Sequence, residues 1–192
     1  MQMLRLLARL SLALAAAAAI AGCTTANRAD ISAVSTRIQA GSAKATLAPL
    51  EFVSFCMHNG GQCRPAGQPS AVVEASPENL AVIEEVNRQV NLRIRPSSAS
   101  TDWRINPASG NCNDYVVSKR YELLQRGFPS SALLINVVTT ASGEGHLVLV
   151  VKTDRRDLVL DNLTSTIRGV TQAPYTWVKR QSASDPLTWE TA

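Results

Sequence analysis

Gly110-Asn111-Cys112-Asn113-Asp114-Tyr115 is the part of this sequence from which most of the fold and the chemistry can be predicted. Asn111 is a good helix N-cap, and the apolar residues after it predict a helix that runs to Arg126, before Gly127. Cys112 would lie in the first turn, where unpaired N–H groups and the helix dipole favour a thiolate over a thiol. These residues therefore predict a reactive cysteine at a helix start.

A histidine and an aspartate follow at positions that suit a base and its orienting partner. Val- and Leu-rich runs with hairpin-length connections predict three antiparallel strands, over residues 132–139, 146–152 and 157–160. His146 begins the second run beside two glycines, and Asp161 follows the third. A nucleophilic thiol needs a base, and the base needs a group that fixes its tautomer. We therefore predict a catalytic triad of Cys112, His146 and Asp161.

The other predicted elements make this an α+β fold. Ser76-Pro77-Glu78 is a strong helix start, and apolar residues at spacings of three and four predict a helix that ends near Arg93. Residues 50–55 alternate and predict a short strand or a loop. We expect the helix that bears the cysteine to pack on the antiparallel sheet that bears the histidine and the aspartate.

The N-terminal 22 residues are typical of a signal peptide, with two arginines before a short apolar stretch. Cys23 follows Ala-Gly, as in a bacterial lipoprotein box, and would then carry a lipid and be the only membrane anchor. The alternative is ordinary cleavage without lipidation. Residues 23–48 are rich in Thr, Ala, Ser and Gly and predict a flexible tether, so the folded domain would span 49–192. Both alternatives place the mature protein outside the cytoplasm.

Two further cysteines, Cys56 and Cys63, enclose an Asn-Gly-Gly turn signal. An oxidising compartment would close them into a disulfide, which leaves Cys112 as the free thiol if Cys23 is lipidated. A metal site of Cys56, His58 and Cys63 is the alternative, although no fourth ligand with zinc-type spacing lies nearby. His58 is a poor candidate for the catalytic base because it lies inside this loop.

The charge balance argues against nucleic acid as a partner. Without the leader the chain has 17 basic and 15 acidic residues, compared with 19 and 15 in the full sequence. The charges alternate in sign and form no basic run, so the electrostatic signature of nucleic-acid binding is missing from the sequence.

Short motifs surround the three candidate residues and continue into the tail. They are residues 110–115, Lys119-Arg120, residues 145–149 and 160–163, Asp102-Trp103-Arg104-Ile105-Asn106-Pro107, and the segment from Tyr175 to Trp189. In this combination the chain resembles the bacterial transglutaminase-like cysteine proteinases, over roughly residues 50 to 189. The resemblance implies a papain-like fold, a Cys-His-Asp triad and a periplasmic location. It also implies an exported protein substrate, as in members that clip a surface adhesin and release biofilm cells, and a regulatory membrane protein as a possible partner.

The resemblance fails at the acids that flank the nucleophile. In the adhesin-clipping members these acids help to bind calcium, whereas here both are amides, Asn111 and Asn113. Calcium prefers several oxygens that carry negative charge, and Asp114 alone should not hold it tightly. We expect calcium binding at Asn111, Asn113 and Asp114 to be weak or absent, and no cofactor to be required.

The same triad also serves other activities. A transglutaminase or a protein-glutamine deamidase would form the same thioester on a Gln side chain, and the sequence does not separate these from a protease. An inactive binding module that has kept the fold is a third possibility, which the two amides support and the complete triad opposes.

Overall fold

The computed structural model describes residues 44–65, 67–68 and 70–192. Three α-helices and three short 3-10 turns are found within these residues. The helices are α1 (Leu50–His58), α2 (Pro77–Arg93) and α3 (Cys112–Gln125), and the 3-10 turns are Gly60–Gln62, Ser130–Ala132 and Val170–Gln172. None of the described helices combines the length and the hydropathy that a membrane crossing requires.

Local capping explains where the two longer helices begin. The hydroxyl of Ser76 accepts the N–H of Asn79 at 3.3 Å, and Pro77 occupies the first helical position. Helix α2 therefore begins and ends as the sequence predicts. Helix α3 begins directly after its N-cap Asn111, so the prediction that Cys112 opens a helix is confirmed.

The strands of the described residues form one antiparallel sheet of seven strands and a small parallel pair. The strands are β1 (Ala45–Thr46), β2 (Arg95–Pro96), β3 (Ser109–Gly110), β4 (Leu133–Thr139), β5 (Gly145–Val151), β6 (Leu158–Leu160), β7 (Arg168–Gly169), β8 (Thr176–Gln181) and β9 (Trp189–Thr191). Their order in the large sheet is β1-β9-β8-β4-β5-β6-β7, while β2 pairs with β3. The three predicted strands correspond to β4, β5 and β6, which are neighbours.

The register of β5 and β6 places the two candidate polar residues at the same end of the sheet. Leu149 pairs with Leu160, and Asp161 follows β6 directly. His146 is the second residue of β5 and pairs with Val138 of β4. Because the two strands are antiparallel, the start of one lies beside the end of the other.

Alternation along β5 divides the apolar side chains between two clusters. Leu147, Leu149 and Val151 belong to the main core, together with Phe52 of α1 and Val117 of α3. Val148 and Val150 belong to a second cluster with buried valines of β4 and β6. The helices pack on the sheet as expected, and the predicted α+β class is confirmed.

Two segments differ from the prediction. Residues 50–58 form helix α1, not a strand or a loop, because Phe52 and Phe55 are three residues apart and are buried together. Ala45–Thr46 pair with β9 although they fall in the segment predicted as a tether. The predicted signal peptide, Cys23 and the rest of the tether lie outside the described residues.

Candidate active site

The start of α3 is held by its own N-cap. Oδ1 of Asn111 accepts the N–H of Asn113 at 3.0 Å, and Nδ2 of Asn111 donates to the carbonyl of Ser100 at 2.7 Å. Cys112 is the first helical residue, and it is the one free cysteine among the described residues. Its Sγ lies 3.8 Å from Oδ1 of Asn113. The thiol is therefore partly exposed on a rigid helix end.

Asp114 ties this helix end to the preceding loop. Its side chain is fully buried. Oδ1 accepts the backbone N–H of Arg104 at 2.8 Å and its Nε at 3.2 Å, while Oδ2 accepts Nη2 of Arg104 at 3.1 Å and the N–H of Asn111 at 3.1 Å. The hydrogen bond and the charge of Asp114 raise the pKa of Arg104. The pair fixes the position of the residues on either side of Cys112.

His146 and Asp161 form a buried pair. Nε2–H of His146 donates to Oδ1 of Asp161 at 2.9 Å, and the side chains are 6% and 3% exposed. This bond occupies Nε2, so Nδ1 is the imidazole nitrogen that remains available to Cys112, which lines the same cleft as His146. The structure thus brings together the three residues that the sequence predicts as a triad. Their catalytic roles stay predictions.

Two opposing effects act on the pKa of His146. Burial disfavours the charged imidazolium, but the hydrogen bonds with Asp161 and with Cys112 and the charges of both groups outweigh it and raise the pKa to about 9. Burial also raises the pKa of Asp161, and the hydrogen bonds from His146, Tyr175 and the Leu163 backbone more than offset this, so the net change is downward. At neutral pH the pair is therefore imidazolium and carboxylate.

Three groups besides His146 form hydrogen bonds with Asp161. Oδ1 also accepts the N–H of Leu163 at 3.0 Å, and the hydroxyl of Tyr175 donates to Oδ2. The backbone carbonyl of Asp161 accepts Nδ2 of Asn91, from helix α2, at 2.9 Å. Tyr175 and Asn91 could not be predicted from the sequence as partners of Asp161, because no local pattern specifies where the tail and helix α2 lie relative to the end of β6. Tyr175 entered the sequence analysis only as part of the tail motif that carries the family resemblance.

An open cleft of about 290 Å³ lies beside Cys112 and His146. Its other lining residues are Pro49, Glu51, Trp103, Asn113, Val137, Gly145, Leu147 and Lys179. A larger groove of about 780 Å³ between α1 and the 102–105 loop shares Glu51 and Trp103 with it. The thiol therefore lies at an open cleft with both apolar and charged side chains in its walls.

The residues proposed for calcium already have partners. Both oxygens of Asp114 accept hydrogen bonds from Arg104 and Asn111. Nδ2 of Asn113 donates to the carbonyl of Thr101 at 3.3 Å. No three His, Cys, Asp or Glu side chains converge on a metal-sized site anywhere in the described residues. The donor atoms at the start of α3, arranged in this way, do not fit a calcium ion, which needs several free oxygen ligands.

The remaining cysteines form the predicted disulfide. Cys56, near the end of α1, is bonded to Cys63 just after the first 3-10 turn. The disulfide prediction is confirmed and the metal alternative at Cys56, His58 and Cys63 is wrong. His58 is exposed at the end of α1, where Nδ1 lies 3.0 Å from the carbonyl of Ser54. It lines the larger groove and not the cleft beside Cys112.

Comparison with known protein families finds one whose model matches most of this chain. The family model of the bacterial transglutaminase-like cysteine proteinases (BTLCP) matches residues 42–192. The chain belongs to this family. The family is one of cysteine peptidases of the transglutaminase-like type. No protein matches it among the curated proteins.

Three solved structures with similarity to this BTLCP chain are of LapG from Legionella pneumophila. One is 22% identical, with a TM-score of 0.47, over 57% of this chain and 66% of the LapG chain. An EGTA-treated form is 22% identical, with a TM-score of 0.45, over 56% and 64%. A calcium-bound form is 17% identical, with a TM-score of 0.48, over 78% and 82%. The match spans just under two thirds of the first two LapG chains.

Proposed function

We propose that this BTLCP member is a thiol protease in which Cys112 is the nucleophile, His146 the acid and base, and Asp161 the residue that orients His146. The observation that carries the proposal is the arrangement of these residues around one imidazole. Nε2 of His146 is bonded to Asp161, which leaves Nδ1 for Cys112, and Cys112 and His146 line the same cleft. Geometry of this kind gives an imidazole one orienting partner and one reacting partner.

The reaction would proceed through a thioester. The thiolate Sγ of Cys112, whose proton His146 holds as its imidazolium, attacks the carbonyl carbon of the scissile peptide, forms a C–S bond and leaves the negative charge on the carbonyl oxygen. The C–N bond then breaks as the imidazolium of His146 gives its proton to the leaving amine. After the amine has left, neutral His146 takes a proton from a water molecule that attacks the thioester carbon, and the C–S bond breaks to release the carboxylic acid product and restore the Cys112 thiolate beside the His146 imidazolium. The raised pKa of His146, about 9, keeps the proton donor charged at neutral pH.

The backbone of Cys112 would stabilise the oxyanion that forms on the carbonyl oxygen. Cys112 is the first helical residue, so its N–H has no acceptor within the helix. The next N–H, that of Asn113, is already bound to Oδ1 of Asn111. An N–H on the positive end of the helix and next to the nucleophile can bind a developing negative charge.

We further propose that the substrate is an exported protein of the surface-adhesin type, which reaches the enzyme in the periplasm. The signal-peptide pattern at residues 1–22 and the lipoprotein-type Cys23 support this location. A membrane protein that sequesters the protease would be the regulator. We also propose that catalysis requires no calcium, because Arg104 already occupies the carboxylate of Asp114.

The experiment that tests this proposal compares the N-termini of exported proteins in cells with the wild-type chain and with Cys112→Ala. We expect N-termini that appear only with the wild type and that a purified preparation reproduces on the same proteins. Mass spectrometry of the same samples detects a one-dalton shift or a cross-link at Gln. These modifications without any new N-terminus would contradict the protease and favour the deamidase or the transglutaminase.

A further inference from the structure

The hydroxyl of Tyr175 bonds to the one carboxylate oxygen of Asp161 that His146 does not use. It donates to Oδ2, whereas His146 and the Leu163 N–H donate to Oδ1. A carboxylate held by one oxygen can turn about its χ2 angle, and a donor on the second oxygen removes this freedom. The plane of the Asp161 carboxylate is therefore set by Tyr175.

The ring of Tyr175 also packs beside the imidazole. The centroids of the two rings are 5.7 Å apart and the ring planes are inclined by 46°. Tyr175 itself packs against the second apolar cluster of the sheet. The ring thus covers one side of the His146–Asp161 bond, and a hydrogen bond to a charged group is stronger where water is excluded.

The hydroxyl of Tyr175 stays protonated under all ordinary conditions. Burial and the neighbouring carboxylate of Asp161 both raise its pKa. It is therefore a permanent donor to Asp161, and it cannot take a proton from His146 during the reaction. A phenylalanine would fill the same space in the apolar cluster, so packing alone does not account for a tyrosine here.

We propose that Tyr175 is a fourth, positioning member of the catalytic group, whose hydroxyl fixes the Asp161 carboxylate and thereby the orientation of His146 toward Cys112. This inference rests on the proposed function, since it gives Tyr175 a part in the same triad. We therefore expect Tyr175→Phe to alter the titration of Asp161 and the reactivity of Cys112 while the protein still folds.

The test uses the purified protein and its variants Tyr175→Phe and Tyr115→Phe. Tyr115 is a matched control because its hydroxyl also donates a buried hydrogen bond, but to the Ile94 carbonyl and not to Asp161. The titration of the Asp161 carboxyl is followed by ¹³C NMR. Alkylation of Cys112 by iodoacetamide at pH 6 is followed by mass spectrometry of the peptide that contains it. Circular-dichroism melts report whether each variant folds.

In Tyr175→Phe we expect the pKa of Asp161 to rise by about one unit, the worth of one hydrogen bond to a charged group. We expect alkylation of Cys112 to slow by about three- to tenfold, while Tyr115→Phe changes neither quantity. An unchanged Asp161 titration in folded Tyr175→Phe, or an equal change in Tyr115→Phe, would overturn the inference. If Tyr175→Phe does not fold, the exchange of the Tyr175 hydroxyl proton with water is measured by NMR in the wild-type protein. Slow exchange supports the hydrogen bond to Asp161, and free exchange refutes it.

These outcomes separate the inference from the proposed function. If wild-type Cys112 alkylates no faster than a small-molecule thiol, the proposed protease fails whatever Tyr175 does. If wild-type Cys112 is reactive and Tyr175→Phe leaves both measurements unchanged, only the role of Tyr175 is wrong.

Discussion

The substitution Asp161→Asn separates the two contributions of Asp161, its geometry and its charge. The amide oxygen can take the place of Oδ1, where it accepts hydrogen bonds from His146 and from the Leu163 N–H. The amide NH₂ then faces the Tyr175 hydroxyl, which can accept as well as donate. The orientation and the tautomer of His146 should therefore survive, and only the negative charge is lost.

The magnitude follows from the change in hydrogen-bond type. A hydrogen bond to a charged group contributes roughly 1.5–3 kcal/mol, and a neutral one about 1 kcal/mol. The difference of about 0.5–2 kcal/mol corresponds to about one pKa unit. The pKa of His146, about 9 in the wild type, should therefore fall to about 8 in Asp161→Asn. Because the imidazolium protonates the leaving amine, the alkaline limb of the pH–rate profile should move down with it.

The assay is the pH dependence of kcat/KM on a substrate found by the N-terminus comparison, with Asp161→Ala as the matched variant. Asp161→Ala removes both charge and geometry and leaves the hydroxyl of Tyr175 without its acceptor, so its rate should be far lower at every pH. An alkaline limb that stays near pH 9 in Asp161→Asn would refute the reasoning. Equal loss of activity in both variants would refute it as well.

Two further predictions concern the start of α3. Gly110→Ala should lower the free energy of unfolding by about 1–3 kcal/mol, because the new Cβ would lie 2.1 Å from Oδ2 of the buried Asp114 and disturb the hydrogen bonds that this oxygen accepts. The control Gly60→Ala, whose Cβ meets nothing within 4 Å, should change little in the same urea denaturation, and equal effects would contradict this. Excess EGTA should leave proteolysis unchanged, since Arg104 is the cation beside Asp114. Activity abolished by EGTA and restored by calcium would show that the enzyme does require calcium and that this interpretation of the site is wrong.

Local signals explain what could be predicted from the sequence. Ser76 and Asn111 cap their helices by hydrogen bonds to residues no more than three positions away. The sequence around each cap is therefore enough to predict where the helix begins. The order of Cys112, His146 and Asp161 along recognisable elements was enough to predict that they meet.

Contacts between distant residues explain what could not be predicted. Helix α1 is stabilised by packing of Phe52 on Trp103 and Trp189, with ring centroids 5.2 and 5.6 Å away. Apolar alternation over six residues fits a strand as well as one face of a helix, so only these contacts decide between them. The bond of Tyr175 to Asp161 likewise depends on how the tail crosses the sheet, which no local pattern specifies.

The central claim is that His146 activates Cys112, and alkylation of Cys112 at pH 6 tests it most directly. The purified protein and His146→Ala are treated with iodoacetamide, and the label on the Cys112 peptide is measured over time. We predict that wild-type Cys112 reacts much faster than N-acetylcysteine at this pH and that His146→Ala loses this advantage. A wild-type rate equal to that of N-acetylcysteine, or an undiminished rate in folded His146→Ala, would contradict the account.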